Sequence, residues 1–477
     1  MSATAALIHR RHAWLLPRGG LTGFARALLV AGIAWGAFAF GAVYPWAYWP
    51  LAIAAIAVAL AGLAAPAAIV WRTLDLTAVT LTLAIFLAAA AAQLVPLPAA
   101  TIHAISPETP AVVAQLDLSV QLNPASARPL TIDPVRTRRG LLVIASLASL
   151  IVGAARLFSI VGAADTAWAI VVLGVLLALT GIIQRPLFTG KIYGFWTPLE
   201  GGAPFGPFVN KNHFAGWMLM AIPVAIGLLC NDVSRGLRGV PPVWRERVLW
   251  LSSPQASRLL LLMGAAAVMT LSLFLTMSRS GMAAGAVAIV CVALTSRRDV
   301  VRGKKIVALA IVSALLVMVI GWVGPGTIGS RFSSGNPRDV NGRTLAWKDA
   351  IEVARNYPIA GTGLNTYDVA MIFYQRFNRP MRYSQAHNDY LQLAAEGGLL
   401  LTVPAAIAIV VFVRAVRRRF TQETSASTYW IRRGAVAGVL AIALQDIVEF
   451  SLQMPGNAFL FAVLCAIALQ GTPPRRA

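Results

Sequence analysis

The chain has 477 residues, 58% of them hydrophobic and only 12% charged, with a mean hydropathy of +0.71 and a formal net charge of +22. That composition lies outside the range of soluble globular domains. Apolar runs of about 20 residues, enough to cross roughly 30 Å of hydrocarbon as a helix, recur along the chain, whereas a membrane β-barrel would show shorter alternating segments. The sequence therefore predicts an all-α polytopic membrane protein embedded in a lipid bilayer. Its positive charge calls for no nucleic acid, because Lys and Arg gather in the cytoplasmic loops of such proteins.

In chain order, Arg10, Arg11, Arg18 and Arg26 precede a first apolar run that continues past signal-peptide length without a cleavage site, so it reads as a retained span. About twelve spans are predicted: 23–43, 47–70, 76–97, 139–160, 166–185, 213–230, 258–276, 281–296, 305–323, 393–413, 432–450 and 456–471. Tyr44-Pro45-Trp46 makes a tight turn with interfacial aromatics between the first two. Cys230, Cys291 and Cys465 are widely spaced in or beside apolar runs and read as small hydrophobes, not a disulfide set or a metal cluster. With the N-terminus inside, 24 of the 40 basic residues fall in inner segments, including Arg297, Arg298, Arg302, Lys304 and Lys305. Both termini are then expected to be cytoplasmic.

Three outer segments stand out. The first, 98–138, leads to Arg136, Arg138 and Arg139, which oppose the charge rule and face either an anion or solvent. The second, 186–212, ends in Asn210-Lys211-Asn212 before His213; Asn212 can cap the following helix, and Lys211 at a helix N-terminus makes an anion site. The third, 324–392, is a large polar insert carrying Arg331, Arg338, Arg343, Arg376, Arg379, Arg382 and a single histidine, His387. Helical spacing of Trp347, Ala350, Ile351 and Ala354 predicts an amphipathic helix from about Arg343 to Asn356, and Tyr367, Ala370, Met371 and Tyr374 predict a second. Both are expected to lie along the outer membrane surface.

Several residues are candidates for chemistry. Arg279, in the minimal turn Ser278-Arg279-Ser280-Gly281, can grip a phosphate in a bidentate fork or anchor the turn to headgroups. His387 suits proton transfer from a hydroxyl, with Asn388 and Asp389 as helix caps and Glu396 two turns on. Asp446 and Glu449, three apart on one helical face near the outer end of a span, form a wall of the site, unless they are shallow enough to be solvated. No outer segment has metal-ligand spacing, a phosphate-binding Gly-Lys-Ser/Thr loop or a serine nucleophile elbow. An enzyme here is expected to work without a bound metal, cofactor or nucleotide hydrolysis.

Phe205-Gly206-Pro207-Phe208-Val209-Asn210-Lys211-Asn212-His213, Ser278-Arg279-Ser280-Gly281, Asn341-Gly342-Arg343 with Trp347 and Asn356-Tyr357-Pro358-Ile359-Ala360-Gly361-Thr362-Gly363, and His387-Asn388-Asp389-Tyr390-Leu391-Gln392 with Glu396-Gly397 resemble, in order, signatures of the O-antigen ligase and polysaccharide polymerase family. The resemblance is strongest over 200–400, within one polytopic domain of 1–477. It implies a GT-C-like membrane glycosyltransferase in the bacterial inner membrane. Such an enzyme takes a glycan from a polyprenyl-diphosphate carrier on the periplasmic side and passes it to a lipid A core or a growing glycan. The resemblance also implies that Arg279 and Arg343 hold the donor diphosphate and that His387 assists the acceptor hydroxyl; Lys211, Asn210, Asn212, Glu396, Asn388 and Glu449 are expected as substrate-binding residues. The reaction is expected to be a metal-independent inverting transfer of the ligase type. Alternatives are a polymerase of the same family or a transporter of lipid-linked glycan. Where many relatives carry His-Ser-x-x-Asp-Phe, this chain has Gln445-Asp446-Ile447-Val448-Glu449-Phe450, so no role of that histidine carries over.

Overall fold

The computed structural model describes residues 20–64, 74–198, 203–236, 245, 254–294, 337–376 and 382–471. Among these residues the fold is all-helical, with isolated bridges in place of strands. Thirteen principal helices are α1 Gly20–Phe38, α2 Pro45–Ala64, α3 Leu74–Ala92, α4 Pro134–Val161, α5 Ala164–Leu187, α6 Lys211–Gly236, α7 Pro254–Leu275, α8 Arg279–Leu294, α9 Pro337–Asn356, α10 Tyr367–Tyr374, α11 Asp389–Gln422, α12 Ala426–Gln445 and α13 Pro455–Leu469. Eight helices, α1 to α7 and α11, are long and apolar enough to cross a membrane by length and composition. The chain is a multi-pass membrane protein. Helices α8, α12 and α13 fall on three further expected spans, while the expected span 305–323 lies outside the described residues.

The bundle is built around α6, which is buried over nearly its whole length among α5, α7 and α12. Lipid offers no hydrophobic drive between helices, so close backbone approach through small residues takes its place. Gly434 and Gly438 on α12 supply that approach; a Cβ at Gly434 would come within 2.5 Å of the Pro223 carbonyl oxygen of α6. The ends of the helices away from α6's N-terminus are tied by ion pairs: Arg26 with Asp165, Arg258 with Asp232 and Arg418 with Asp75. Fully buried Arg432 pairs with Glu423 at 2.9 Å and donates to the carbonyls of Ala468 in the last turn of α13 and of Gln470 just beyond it.

At the opposite end, α9 and α10 build a cap. Where the sequence suggests apolar faces along the membrane surface, Ala350, Val353, Tyr367, Ala370 and Met371 pack instead with Val112 and Ile132 of the outer loop and with Ala386 and Ala395, while Ile351 and Ile372 stay exposed. Arg136, one of the three arginines expected to face an anion or solvent, instead pairs with Asp368 at 2.8 Å and Asp133 at 3.5 Å, fastening that loop to the cap. Arg138 and Arg139 are exposed.

Helix α11 breaks at Gly398 (φ 52°, ψ −153°), a conformation essentially reserved for glycine. Breaking a helix at membrane depth strands backbone groups that must be satisfied by protein. Here loop 357–363 satisfies them: the N–H groups of Leu399 and Leu400 donate to Pro358 and Ile359, and the Ala395 and Glu396 carbonyls accept from Thr362 and Gly363. Two of the sequence signatures are thus halves of one hydrogen-bonded joint.

Candidate active site

The N-terminus of α6 is set by a tight turn in which Phe205 and Phe208 exchange backbone hydrogen bonds around Gly206 (φ 53°). Asn210, not Asn212, makes the cap: its Oδ1 accepts the Asn212 N–H at 2.9 Å. Asn212 is thereby free to point across the site. The α7–α8 turn is held by Thr276 and Ser278, whose hydroxyls accept the N–H groups of Ser278 and Gly281, and α8 starts at Arg279.

Helix α9 presents Arg343 and Trp347, four apart and so on one face. Trp347 donates through Nε1 to the His387 carbonyl at 3.3 Å, which hangs the histidine segment from the helix carrying Arg343. His387 has a left-handed backbone (φ 51°), uncommon for a non-glycine residue and a feature that clusters at functional sites. Asn388 then caps α11 by accepting the Leu391 N–H at 2.9 Å.

The fourth wall is the loop between α12 and α13. The sequence places Asp446 and Glu449 on one helical face with the option of solvation, but α12 ends at Gln445 and both side chains are buried in the loop, Glu449 at 0% exposure. The Asp446 carboxylate accepts the Ser451 N–H at 3.0 Å and turns the chain inward.

These walls converge on Glu449. Its Oε1 accepts from Arg343 in an ion pair, from Asn212 Nδ2 at 2.7 Å and from Ser280 at 3.5 Å, while Oε2 faces His387 Nδ1 at 3.8 Å. The ring of adjacent Phe450 lies between His213 and His387, with centroids 4.6 and 4.7 Å away and both imidazoles near perpendicular. Burial opposes ionisation of Glu449, yet His387, Arg343 and His213 together hold its carboxyl below the ordinary value of 4.5. The side chains of Arg343 (29% exposed) and His387 (27%) are partly accessible, whereas the carboxylate beneath them is not.

Of the residues singled out from sequence, Arg343, His387, Glu449 and Asn212 meet directly. Arg279 is half-buried one residue from Ser280 and forms no ion pair among the described residues. Asn210 and Lys211 lie at the start of α6 beside Asn212. Asn388 spends its side chain on the cap. Glu396 stands apart: it is buried, and its oxygens take the N–H groups of Asn365 (2.7 Å) and Tyr367 (3.1 Å) and the amide of Gln392 (3.0 Å). Among the described residues no group of three His, Cys, Asp or Glu side chains is placed to hold a metal ion. Sequence reasoning passed over Ser280, Phe450 and Gln392; the first two adjoin residues it did name, and the third sits inside a quoted motif.

No curated protein matches the chain. Residues 264–406, which run from α7 through the Arg279 turn, Arg343 and His387 to the joint at Gly398, match the family model described as O-antigen ligase, and over that span the chain is similar to the O-antigen ligase family.

Proposed function

We propose that this site transfers a glycan from a polyprenyl-diphosphate carrier to an acceptor hydroxyl, in a single inverting displacement that needs no metal ion. A membrane glycosyltransferase of O-antigen ligase or polymerase type is what the family implies. The observation that carries the finer reading is the meeting of Arg343 and His387, from the two ends of the polar insert, over one buried carboxylate beside the Arg279 turn.

The acceptor oxygen attacks the anomeric carbon, the bond to the diphosphate breaks with its electron pair leaving on the diphosphate, and the hydroxyl proton passes to His387. Charge grows on the leaving diphosphate, and fixed cations aimed at it lower the barrier. Arg279, which forms no ion pair among the described residues, stands at the N-terminus of α8, where the helix dipole also favours an anion. Arg343, shared between Glu449 and the cleft, is the second cation, and Lys211 at the start of α6 the third. Glu449 is better placed beneath the site than against substrate: facing Nδ1 of His387, it orients the ring and stabilises the imidazolium, leaving Nε2 for the hydroxyl. Glu396 braces loop 361–367.

The acceptor is a lipid A core for a ligase and the growing glycan for a polymerase; ligation is the leading reading. Purified protein supplied with a polyprenyl-diphosphate oligosaccharide, with and without lipid A core, decides between them. Transfer only with the core marks a ligase, chain growth without it a polymerase, and no release of polyprenyl diphosphate in either case overturns the reading.

A further inference from the structure

Beneath the site, two carboxyl groups touch. Asp389, two residues after His387, and Asp446, three before Glu449, are joined by a hydrogen bond from the Asp389 N–H to the Asp446 carbonyl (3.0 Å) and by a contact between their side chains. One oxygen of each is otherwise satisfied: Asp389 Oδ1 accepts from Gln453 Nε2 at 2.7 Å and Asp446 Oδ1 from the Ser451 N–H at 3.0 Å. The other oxygen of each, Oδ2, is buried without a well-formed hydrogen bond among the described residues, the Leu452 N–H being the backbone donor nearest the Asp389 carboxylate. Two ionised carboxylates in contact out of water repel, whereas one proton between them makes a hydrogen bond of the charge-assisted kind.

We propose that Asp389 and Asp446 share one proton, and that this proton latches the His387 segment onto the Glu449 loop, making both aspartates positioning residues for the transfer. The inference rests on the site reading above, since it takes His387 and Glu449 as the groups to be positioned. Gln453 extends the latch, because its Oε1 accepts from Gln392, which also donates to Glu396 at the α11 joint. The charged and titratable groups that face Asp446 are Asp389 and Tyr390 from α11 and Glu449 from its own loop, with Arg343, His387 and His213 behind Glu449. Burial, then the Asp389 charge, pushes the Asp446 carboxyl up, and burial pushes the Asp389 carboxyl up as well. A raised carboxyl favours folding most below its unfolded value of 3.8; that contribution declines as pH rises and is exhausted once the native pair loses the shared proton too.

An asparagine at 446 keeps a donor for Asp389 but cannot titrate. The test compares wild type, Asp446→Asn, Asp446→Ala and Asp389→Ala as purified full-length protein in lipid nanodiscs. At pH 7 the wild-type-minus-Asp446→Asn infrared difference spectrum is expected to show the carbonyl band of a protonated carboxyl. The subtraction cancels any contribution from Glu396, whose carboxyl burial pushes up to about 7. The thermal stability of the wild type is expected to fall with rising pH more steeply than that of Asp446→Asn. These readouts need no transfer activity, so they decide the shared proton even if the transfer reading fails. In the transfer assay, the alanine variants lose roughly a hundredfold in kcat, the scale of a small displacement of catalytic groups, with little change in KM for the donor. Asp446→Asn retains turnover at pH 7, and its alkaline limb moves above that of the wild type. Absence of the infrared band from the difference spectrum, an Asp446→Asn variant as slow as Asp446→Ala, or an unmoved alkaline limb would each overturn the latch.

Discussion

Glu449 is the residue on which the site turns, because a carboxylate with no exposure stays ionised only where it is fully compensated. Arg343, Asn212 and the two histidines supply that compensation. Glu449→Gln keeps the shape, yet leaves Arg343 without a counter-charge and His387 without its orienting partner. Turnover is expected to drop on the order of a hundredfold, while the protein still reaches the membrane; an unchanged kcat in the transfer assay removes Glu449 from the mechanism. The folded-state carboxyl lies below its ordinary 4.5, so its stabilisation is complete above that value and lost as pH falls through the lower folded one. The gap in Tm between wild type and Glu449→Gln should accordingly narrow below pH 4.5, and a gap constant with pH would count against the ionised carboxylate. Arg279→Lys separates charge from fork geometry: lysine keeps the cation but loses the bidentate grip. Loss of one such transition-state donor is typically worth about 10²–10³ in kcat, and a fully active Arg279→Lys enzyme would remove Arg279 from the diphosphate.

At the scale of elements, the joint between α11 and loop 357–363 decides where the cap sits, and Gly398 is its weakest point. An added Cβ there would lie 2.6 Å from the Ile359 carbonyl carbon, at a backbone conformation few other residues adopt. Gly398→Ala should therefore cost about 1–3 kcal/mol, read as a lower Tm, with transfer falling alongside. Gly264→Ala on α7, where a Cβ meets nothing within 4 Å, is the control expected to leave both unchanged. The helices and the polar insert were legible in the sequence because apolar periodicity and Tyr357-Pro358 are local signals. Arg279, Arg343 and His387 were legible because each sits in a short motif. The end of α12 was not: Ile447, Val448 and Phe450 keep the segment apolar, so hydropathy carries the helix to 450. What ends it at Gln445 is the Asp446 side chain turning back to the Ser451 N–H. The docking of the Asp446–Glu449 loop against Asp389 and Asn212 joins residues far apart in the chain, and local pattern holds no record of it.

For the whole molecule, the remaining question is which side of the membrane the site faces. Helix α8 begins at the site with Arg279 and ends at Leu294, and α9 is back at the site with Arg343. Positions 300 and 340 are thus expected on opposite faces, with Arg297, Arg298, Arg302, Lys304 and Lys305 placing the first in the cytoplasm by the positive-inside rule. By the same rule the ion-paired ends at Arg26, Arg258 and Arg418 are expected on the cytoplasmic side as well, and the site is then expected on the periplasmic side. Single cysteines, Val300→Cys and Val340→Cys, in a background lacking Cys230, Cys291 and Cys465, test this in intact cells. An impermeant maleimide is expected to label position 340 directly and position 300 only after the inner membrane is opened. The reverse pattern would put the site in the cytoplasm, where lipid A core and polyprenyl-linked glycan do not meet, and would overturn the ligase reading together with the topology. Equal labelling of both from outside would mean that the chain between α8 and α9 does not cross the bilayer an odd number of times.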